Sequence, residues 1–571
     1  MQPITERHWR LNEADPAIVD RLAKEAGMPP ILARIMAGRG THAPALAAAF
    51  LQPGLGDLAD PFLLAGLASA VVRLLQARAA GELVCIYGDY DVDGITAVAL
   101  LQTFFKAVGM AACFHIPLRL DEGYGLSKDG IDAAARQGAR VIVTVDCGIT
   151  ALAEAAYCRE LGIDLIITDH HTPGDTLPDA CAVINPHQPG CASPFKQLAG
   201  VGVAFKLLVG LRARLREAGA FAAGGEPNLR EYLDLVALGT VADLVPLTGE
   251  NRVLVAHGLR ELSAGRRVGI RALKQVAGVA DPVTCGAVGF RLAPRLNAAG
   301  RLDDAALGVE LLLCGDPGRA AELAGMLDAG NRERQELEQA ILRDALAMVE
   351  GDPAMAGRTS IVLASPDWHP GVIGIVASRL VDRFHRPTIL IALQDGTGKG
   401  SGRSIPAFHL HDALKGCAEH LEKFGGHRQA AGLAVAESTL AAFVTRFDEV
   451  AAGLLEPADL TPVLTLDGEL QPGEITAELA GQLTQLAPFG MGNPEPVLLV
   501  RGMSVAGVRE LNGGHLRLTV SRDGCSFTAI GFSLAGRVAP GERLDLACTP
   551  QLNEWRGSTT LQLKIRDLRP A

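Results

Sequence analysis

The stretch LVCIYGDYDVDGITAVALL sets Asp89, Asp91 and Asp93 two residues apart, where an apolar run becomes an acidic turn and then a helical pattern. Crowding carboxylates at the mouth of a hydrophobic strand costs repulsion and desolvation unless a cation neutralises them, which marks a candidate divalent-metal site. Similar runs end in further metal-type side chains: Asp146 follows VIVTV, Asp169, His170 and His171 follow LIIT, and Asp243 lies in VALGTVADLVPL. A D-x-D-x-D-G start also opens a calcium EF-hand loop. Here the twelfth position from Asp89 is Leu100 where a bidentate Glu is required, and a β-type run stands where the entering helix belongs.

Carboxylates with imidazoles and no thiolate select hard to borderline ions, Mn2+ or Mg2+ ahead of zinc. Asp89, Asp91, Asp93, Asp146 and Asp243 are too many for one ion, whereas two divalent cations nearly balance them. Such a pair, about 3.5–4 Å apart and bridged by a carboxylate and a water, acidifies the water and clamps a phosphoryl group. Phosphoester or phosphoanhydride hydrolysis is the reaction class that follows. Rival chemistries fail on inspection. Gly200–Val201–Gly202 opens a helical run without a third glycine or a preceding strand, so it is no dinucleotide fingerprint, and GTGKGSGRS imitates a phosphate loop but has Leu393 where the first glycine is needed. Neither HExxH nor GxSxG occurs, and Cys181, His187 and Cys191 lack a fourth zinc ligand at suitable spacing.

Positioning these residues requires several folded layers. The chain has 571 residues, 48% hydrophobic and 20% charged, enough for two to four domains with real cores. It has no 18-residue uncharged apolar run to span a bilayer, and its start, MQPITERHWRLNEADP, lacks the apolar core of a signal peptide. Eleven cysteines without CxxC pairs suit reduced thiols, and a cytoplasmic protein is expected. The net charge of −11 argues against a coat of nucleic acid. From Arg501 to Ala571, however, ten Lys/Arg face six acids, which points to a phosphate-facing C-terminal module.

Between residues 82 and 186 short apolar runs alternate with helical stretches, as in a mostly parallel α/β sheet. Strands are expected at Leu83–Tyr87, Ala112–Ile116, Val141–Val145, Leu165–Thr168 and Ala182–Ile184, and helices near Ile95–Val108, Lys128–Gln137 after Ser127, Ala151–Leu161 and Arg230–Leu238. Chemistry in such sheets gathers at the carboxyl ends of the strands, which is where the acids and imidazoles fall. Gly318–Val349 reads as a long connecting helix. A second α/β domain follows, with strands at Ser360–Ala364 and Thr388–Ala392 and GTGKGSGRS as a Gly-rich basic loop. Beyond a Pro-marked join near residues 456–462, short β runs such as LRLTVSRDGCSFTAIGF signal a small barrel or sandwich. The expected division is an N-terminal segment 1–60, a catalytic domain 61–317, a connecting helix 318–350, a second α/β domain 351–456 and a β-barrel 457–571.

GDYDVDG, VDCGI, TDHH and GTVADLVPL, in that order, resemble the four motifs of the DHH phosphoesterase superfamily. WHPGVIGIVASRL, SGRS and FGGHRQAAGL resemble its DHHA1 substrate-binding domain, and PFGMGNPEP resembles the segment that introduces a C-terminal OB-type domain in nucleases of that superfamily. The resemblance covers the chain from about residue 60 onward and implies a single-strand-specific 5′-to-3′ DNA exonuclease of repair and recombination, with two Mn2+ or Mg2+ ions. It implies Asp91, Asp93, Asp146, His170 and Asp243 as metal ligands, Asp146 as the bridge, and His171 on the scissile phosphate. Many members have a histidine where this chain has Tyr87, so Asp89 is expected to substitute as a ligand. Arg403 with Ser401 and Ser404, helped by Arg119, would hold a 5′ phosphate, with Asn297, Arg301 and His427 also on the substrate side. Trp555 in NEWRGS is a candidate base-stacking residue. The single-strand binding protein and a helicase are the implied partners. Two readings compete: a hydrolase of short oligonucleotides, cyclic dinucleotides or pyrophosphate from the same superfamily, and a binding scaffold that has lost catalysis.

Overall fold

The computed structural model describes residues 6–117, 125–302, 304–555 and 557–571. Arg119 lies outside the described residues, as does the side chain of Trp555. The chain forms two compact units: residues 11–328 with 465–571, and residues 1–10 with 329–464.

The larger unit is built on a five-stranded parallel sheet, ordered Ala112–His115, Leu83–Gly88, Ala139–Val145, Asp164–Thr168, Ala182–Ile184. Each strand is a short β-branched or apolar run because both faces are covered. Val84, Ile86, Val141, Val143 and Val145 pack into one helical layer, with the helices Leu67–Ala80, Val92–Ala107, Gly200–Glu217 and Leu233–Ala242. Cys85, Tyr87, Ile142, Leu165 and Ile167 pack into the opposite layer, with Lys128–Arg136 and Leu152–Glu160. Taken in chain order the strands run 2-1-3-4-5. The order therefore reverses between the strand ending at Gly88 and the strand ending at Val145, and at that switch point the crossover helices diverge and leave a crevice. The GDYDVDG and VDCGI segments both start there.

The helix after the first strand begins at Val92, three residues before the expected Ile95, because the Asp91 side chain accepts from the amides of Asp93 and Gly94 and caps it. Ser127 caps the helix Lys128–Arg136 as expected, accepting from Gly130. The expected helix over Arg230–Leu238 is a 3-10 turn, Leu229–Tyr232, followed by a helix Leu233–Ala242, so Asp243 stands at its C-terminal cap. Toward the C-terminus of the same unit, Leu498–Leu511, His515–Arg522, Cys525–Gly531, Ser558–Pro570 and Arg543–Trp555 pair in that order, and the last pairs back onto the first to close a five-stranded barrel. Leu22, Leu32 and Ile35 from the N-terminal helices share the barrel's core.

A helix of 35 residues, Pro317–Gly351, leads into the smaller unit. There a mixed sheet is ordered Lys423–Gly426, Ala430–Ala436, Thr397–Arg403, Thr388–Gln394, Ile361–Ser365. The expected Gly-rich loop GTGKGSGRS is in fact the central strand Thr397–Arg403 of this sheet. Its glycines alternate with Lys399, Ser401 and Arg403. A Cβ on Gly398, Gly400 or Gly402 would lie 2.6, 2.6 or 2.9 Å from a carbon of Ile391, Leu433 or Leu410. The glycines make room for apolar side chains on one face of a pleat, and loop flexibility plays no part. No single described helix is long and apolar enough to cross a membrane.

Candidate metal centre

Asp89, Asp91 and Asp93 leave the first strand together, and each is fixed differently. Asp89 is buried immediately past the strand end. Asp91 caps the following helix with one oxygen, 2.8 Å from the Asp93 amide. Asp93 lies in the first turn of that helix, and its carboxylate accepts from Gly200 N at 2.6 Å and Val201 N at 2.8 Å, the opening amides of the helix Gly200–Glu217. A helix N-terminus thus partly compensates a carboxylate buried among like charges. Tyr87 points away from the acids: its hydroxyl donates to the Gly125 carbonyl at 3.3 Å, within the opposite layer.

From the neighbouring strand Asp146 enters with a left-handed backbone, φ +63, strained in any residue but glycine. The opening of the helix Gly200–Glu217 passes so close that a Cβ on Gly200 would sit 2.7 Å from both Cβ and Oδ1 of Asp146. Gly200 is therefore a residue the sequence reading missed, together with Val201; its signal was the Gly-x-Gly helix start considered only as a nucleotide fingerprint. Asp169, buried, locks the next turn. Its Oδ1 accepts from His170 N at 2.7 Å and His171 N at 3.1 Å and pairs with His171 Nδ1 at 2.7 Å, while Oδ2 accepts from Ile149 N at 2.9 Å. This fixes Nδ1 of His171 on Asp169 and turns Nε2 away from it.

His170 gathers the rest. Its Nε2 lies 3.1 Å from Asp146 Oδ1, 3.7 Å from Asp243 Oδ2 and 4.0 Å from Asp93 Oδ2. Among the described residues, ligand atoms within 4.8 Å of one another form three overlapping groups: Asp89, Asp91 and Asp146; Asp146, His170 and His171; and Asp93, His170 and Asp243. Asp146 belongs to the first two. His170 Nε2 and Asp243 Oδ2 are buried and have no hydrogen-bond partner among the described residues, which leaves both atoms available as metal ligands.

The electrostatics agree. Burial and the Asp91 charge push Asp93 up to about 7, and burial with Asp93 and Asp91 pushes Asp243 up to about 9. Asp146 rises well above the usual carboxylate range through burial and four surrounding aspartates. His170 is driven down to about 4 by burial and by His171, which leaves the neutral imidazole a metal requires. For Asp169 burial works against the charge, but the His171 imidazole and the backbone amides outweigh it and hold the carboxyl below its usual range. His171 is raised in turn, since Asp169 outweighs its burial. A cluster that protonates itself when alone, yet offers buried carboxylate and imidazole atoms at ligand distance, fits divalent cations.

The remaining expected residues divide. In the smaller unit Arg403 Nη1 donates to Ser401 Oγ at 3.2 Å, and both side chains lie where a Cβ on Gly374, at the start of the helix Ile373–Phe384, would meet them at 2.7–3.0 Å. Ser404 does not join them: it is buried and its hydroxyl donates to the Phe408 carbonyl at 2.9 Å. His427 is exposed in the turn of a hairpin, its amide on the Ala430 carbonyl. In the larger unit Asn297 accepts from the Val92 amide at 3.1 Å, which ties the helix Ala293–Leu302 to the acidic turn, and Arg301 is half-buried near the end of that helix.

Three family models match the chain: the DHH family N-terminal domain over residues 83–240, the DHHA1 domain over 357–453 and the RecJ OB domain over 466–567. The single-stranded-DNA-specific exonuclease RecJ of Salmonella typhimurium is 41% identical over 585 residues, which cover 99% of each chain. The chain belongs to the RecJ family. The crystal structure of Thermus thermophilus RecJ in complex with Mn2+ matches at a TM-score of 0.85 and 34% identity, over 99% of this chain and 80% of that one. The Mg2+ complex of the same RecJ matches at 0.79 and 32%, over 99% and 78%. As a RecJ, the chain is a metal-dependent phosphodiesterase acting on single-stranded DNA.

Proposed function

We infer that this RecJ-family chain removes nucleotides from the 5′ end of single-stranded DNA with two divalent cations, Mn2+ or Mg2+, and does so in the cytoplasm in DNA repair and recombination. The observation that carries the reading is the double membership of Asp146, whose carboxylate has ligand atoms of Asp89 and Asp91 and of His170 and His171 within 4.8 Å. That is the geometry a bridging ligand needs. One cation would be held by Asp89, Asp91 and Asp146, the other by Asp93, Asp146, His170 and Asp243. Bound there, the metals supply an acidified water and charge stabilisation on the phosphoryl oxygens.

The protein's own groups do the rest. Asp169 holds Nδ1–H of His171 and favours the charged imidazolium, so its Nε2–H can donate to a non-bridging oxygen of the scissile phosphate. The amides of Gly200 and Val201 hold Asp93 still during turnover. In the smaller unit Arg403 and Ser401, beside the first turn of the helix Ile373–Phe384, suit a terminal phosphate through charge-assisted hydrogen bonds. The eleven cysteines, all free, suit a reducing compartment. The test is Asp146→Ala assayed on a 5′-labelled strand. Release of nucleotides should fall by at least about a thousandfold while strand binding stays measurable, as expected when a metal bridge is removed. Undiminished hydrolysis would sink the assignment.

A further inference from the structure

PFGMGNPEP, which introduces the barrel, folds onto the residues that follow Asp243. Gly490 and Asn493 exchange backbone hydrogen bonds at 2.9 and 3.1 Å, and Gly492 takes φ +71, so Met491 and Gly492 are the corners of a tight turn. The Met491 carbonyl accepts from the Leu247 amide at 2.7 Å. A Cβ on Gly490 would lie 2.7 Å from Leu247 Cδ1, and one on Gly492 would lie 2.9 Å from Pro246 Cβ. Both glycines are thus spacers that let the turn seat on Pro246–Leu247.

The turn is itself rigidly held. Asn493, buried, donates to the Leu486 and Pro488 carbonyls, both at 2.8 Å, and accepts from Arg39, which forms a bidentate pair with Asp467. The buried Arg252 guanidinium donates to the carbonyls of Phe50, Leu486 and Ala487 at 2.7–3.0 Å and lies 3.6 Å over the Phe50 ring. One residue before it, Asn251 donates to the carbonyls of Pro246 and Gln197. It thereby ties the stretch after Asp243 to the stretch leading into Gly200, whose amide holds Asp93.

Between Asp243 and this clamp lies Leu244, with φ +62 and 66% exposed. A bulky residue with a left-handed backbone persists only where its neighbours are fixed on both sides. On one side the Asp243 amide closes the last turn of the helix Leu233–Ala242 on the Gly239 carbonyl; on the other stand Leu247 on Met491 and Pro246 on Asn251. We propose that the turn Gly490–Asn493 is a positioning element for the metal centre: by clamping Pro246–Leu247 it holds the strained backbone at Leu244 and so aims the Asp243 carboxylate at His170. The strap that leads into the barrel is therefore part of the apparatus that prepares the hydrolytic site.

The inference rests on Asp243 as a metal ligand, so Asp243→Asn is measured alongside. Mn2+ binding to the full-length protein without DNA is followed by calorimetry for Gly490→Ala, Gly492→Ala and Gly490→Ala/Leu247→Val, with thermal melting of each and single-strand binding in chelator. Both glycine variants should keep a cooperative melt and strand binding and should bind Mn2+ about tenfold or more weakly, as when a ligand's outer support is lost. Leu247→Val, which removes the atom that a Cβ at Gly490 would strike, should restore affinity to Gly490→Ala. Folded glycine variants with unchanged Mn2+ binding, or a folded double variant that binds Mn2+ no better than Gly490→Ala, would overturn the proposal. If Asp243→Asn itself binds Mn2+ as the parent does, the ligand reading fails instead.

Discussion

Asp146, Asp93 and Asp243 share a pocket that disfavours their charges, and this sets a pH dependence. Asp93 and Asp243, raised to about 7 and about 9, hold protons in the metal-free fold that the unfolded chain releases near pH 4. Because the folded state binds more protons across that window, metal-free stability falls as pH rises from about 5 to 9. Bound cations replace those protons and remove the repulsion, so the stabilisation by saturating Mn2+ should grow over the same range. Melting curves with Mn2+ and with chelator at pH 6, 7, 8 and 9 check this. A metal-induced shift that stays flat would mean the carboxylates are already ionised in the empty pocket. At this scale residue type alone picked out Asp89, Asp91, Asp93, Asp146, His170, His171 and Asp243, which the fold brings within ligand distance of one another in overlapping groups. It could not pick out Gly200, since a missing Cβ has meaning only once the Asp146 side chain is known to pass 2.7 Å from it.

Among the elements, the strand Thr397–Arg403 shows how composition misleads. Six of the nine residues in GTGKGSGRS are glycine or serine, which reads as a loop, but the alternation of Gly398, Gly400 and Gly402 is the period of a strand packed tightly on one face. Gly400→Val should push against Leu433 and Ile391 and destabilise the smaller unit by about 1–3 kcal/mol, the usual range for overpacking. Arg403→Ala, on the opposite face, should leave the melting temperature within a few degrees and instead reduce the preference for 5′-phosphorylated over 5′-hydroxyl ends. Equal losses on both kinds of end would remove Arg403 from the phosphate pocket. The helix start was legible at Ser127, whose cap was read in the sequence; at Asp91 it was missed by three residues, because that acid was read only as a metal ligand. The 3-10 turn at Leu229–Tyr232 was not legible, because its residues carry no local signal that separates it from the helix it precedes.

For the molecule as a whole, the basic surplus of the C-terminal barrel is smaller in effect than in number. Lys564 and Arg566 pair with Glu495, Arg537 with Asp567, and Arg501 and Arg569 with Asp545. Arg509 and Arg517 differ: they face one another directly across adjacent strands, both exposed, with no ion pair among the described residues. Like charges placed opposite are unfavourable without an anion between them. Replacing both by alanine should therefore weaken single-strand binding and flatten the log–log salt dependence by about 1.4, or about 0.7 for each phosphate no longer neutralised. An unchanged slope in fluorescence anisotropy would exclude these arginines from the strand's path.

The sequence by itself determined the class of chemistry, the parallel sheet that carries it and the barrel that follows, because ligand types and apolar periods are local properties of the chain. Only the tertiary structure decided how the acids share space. The strand order that puts the switch point between Gly88 and Asp146, the helix N-terminus laid on Asp93, and the turn Gly490–Asn493 seated behind Asp243 all join distant segments. Close packing sets them, and no pattern along the chain encodes which residue will fill which gap.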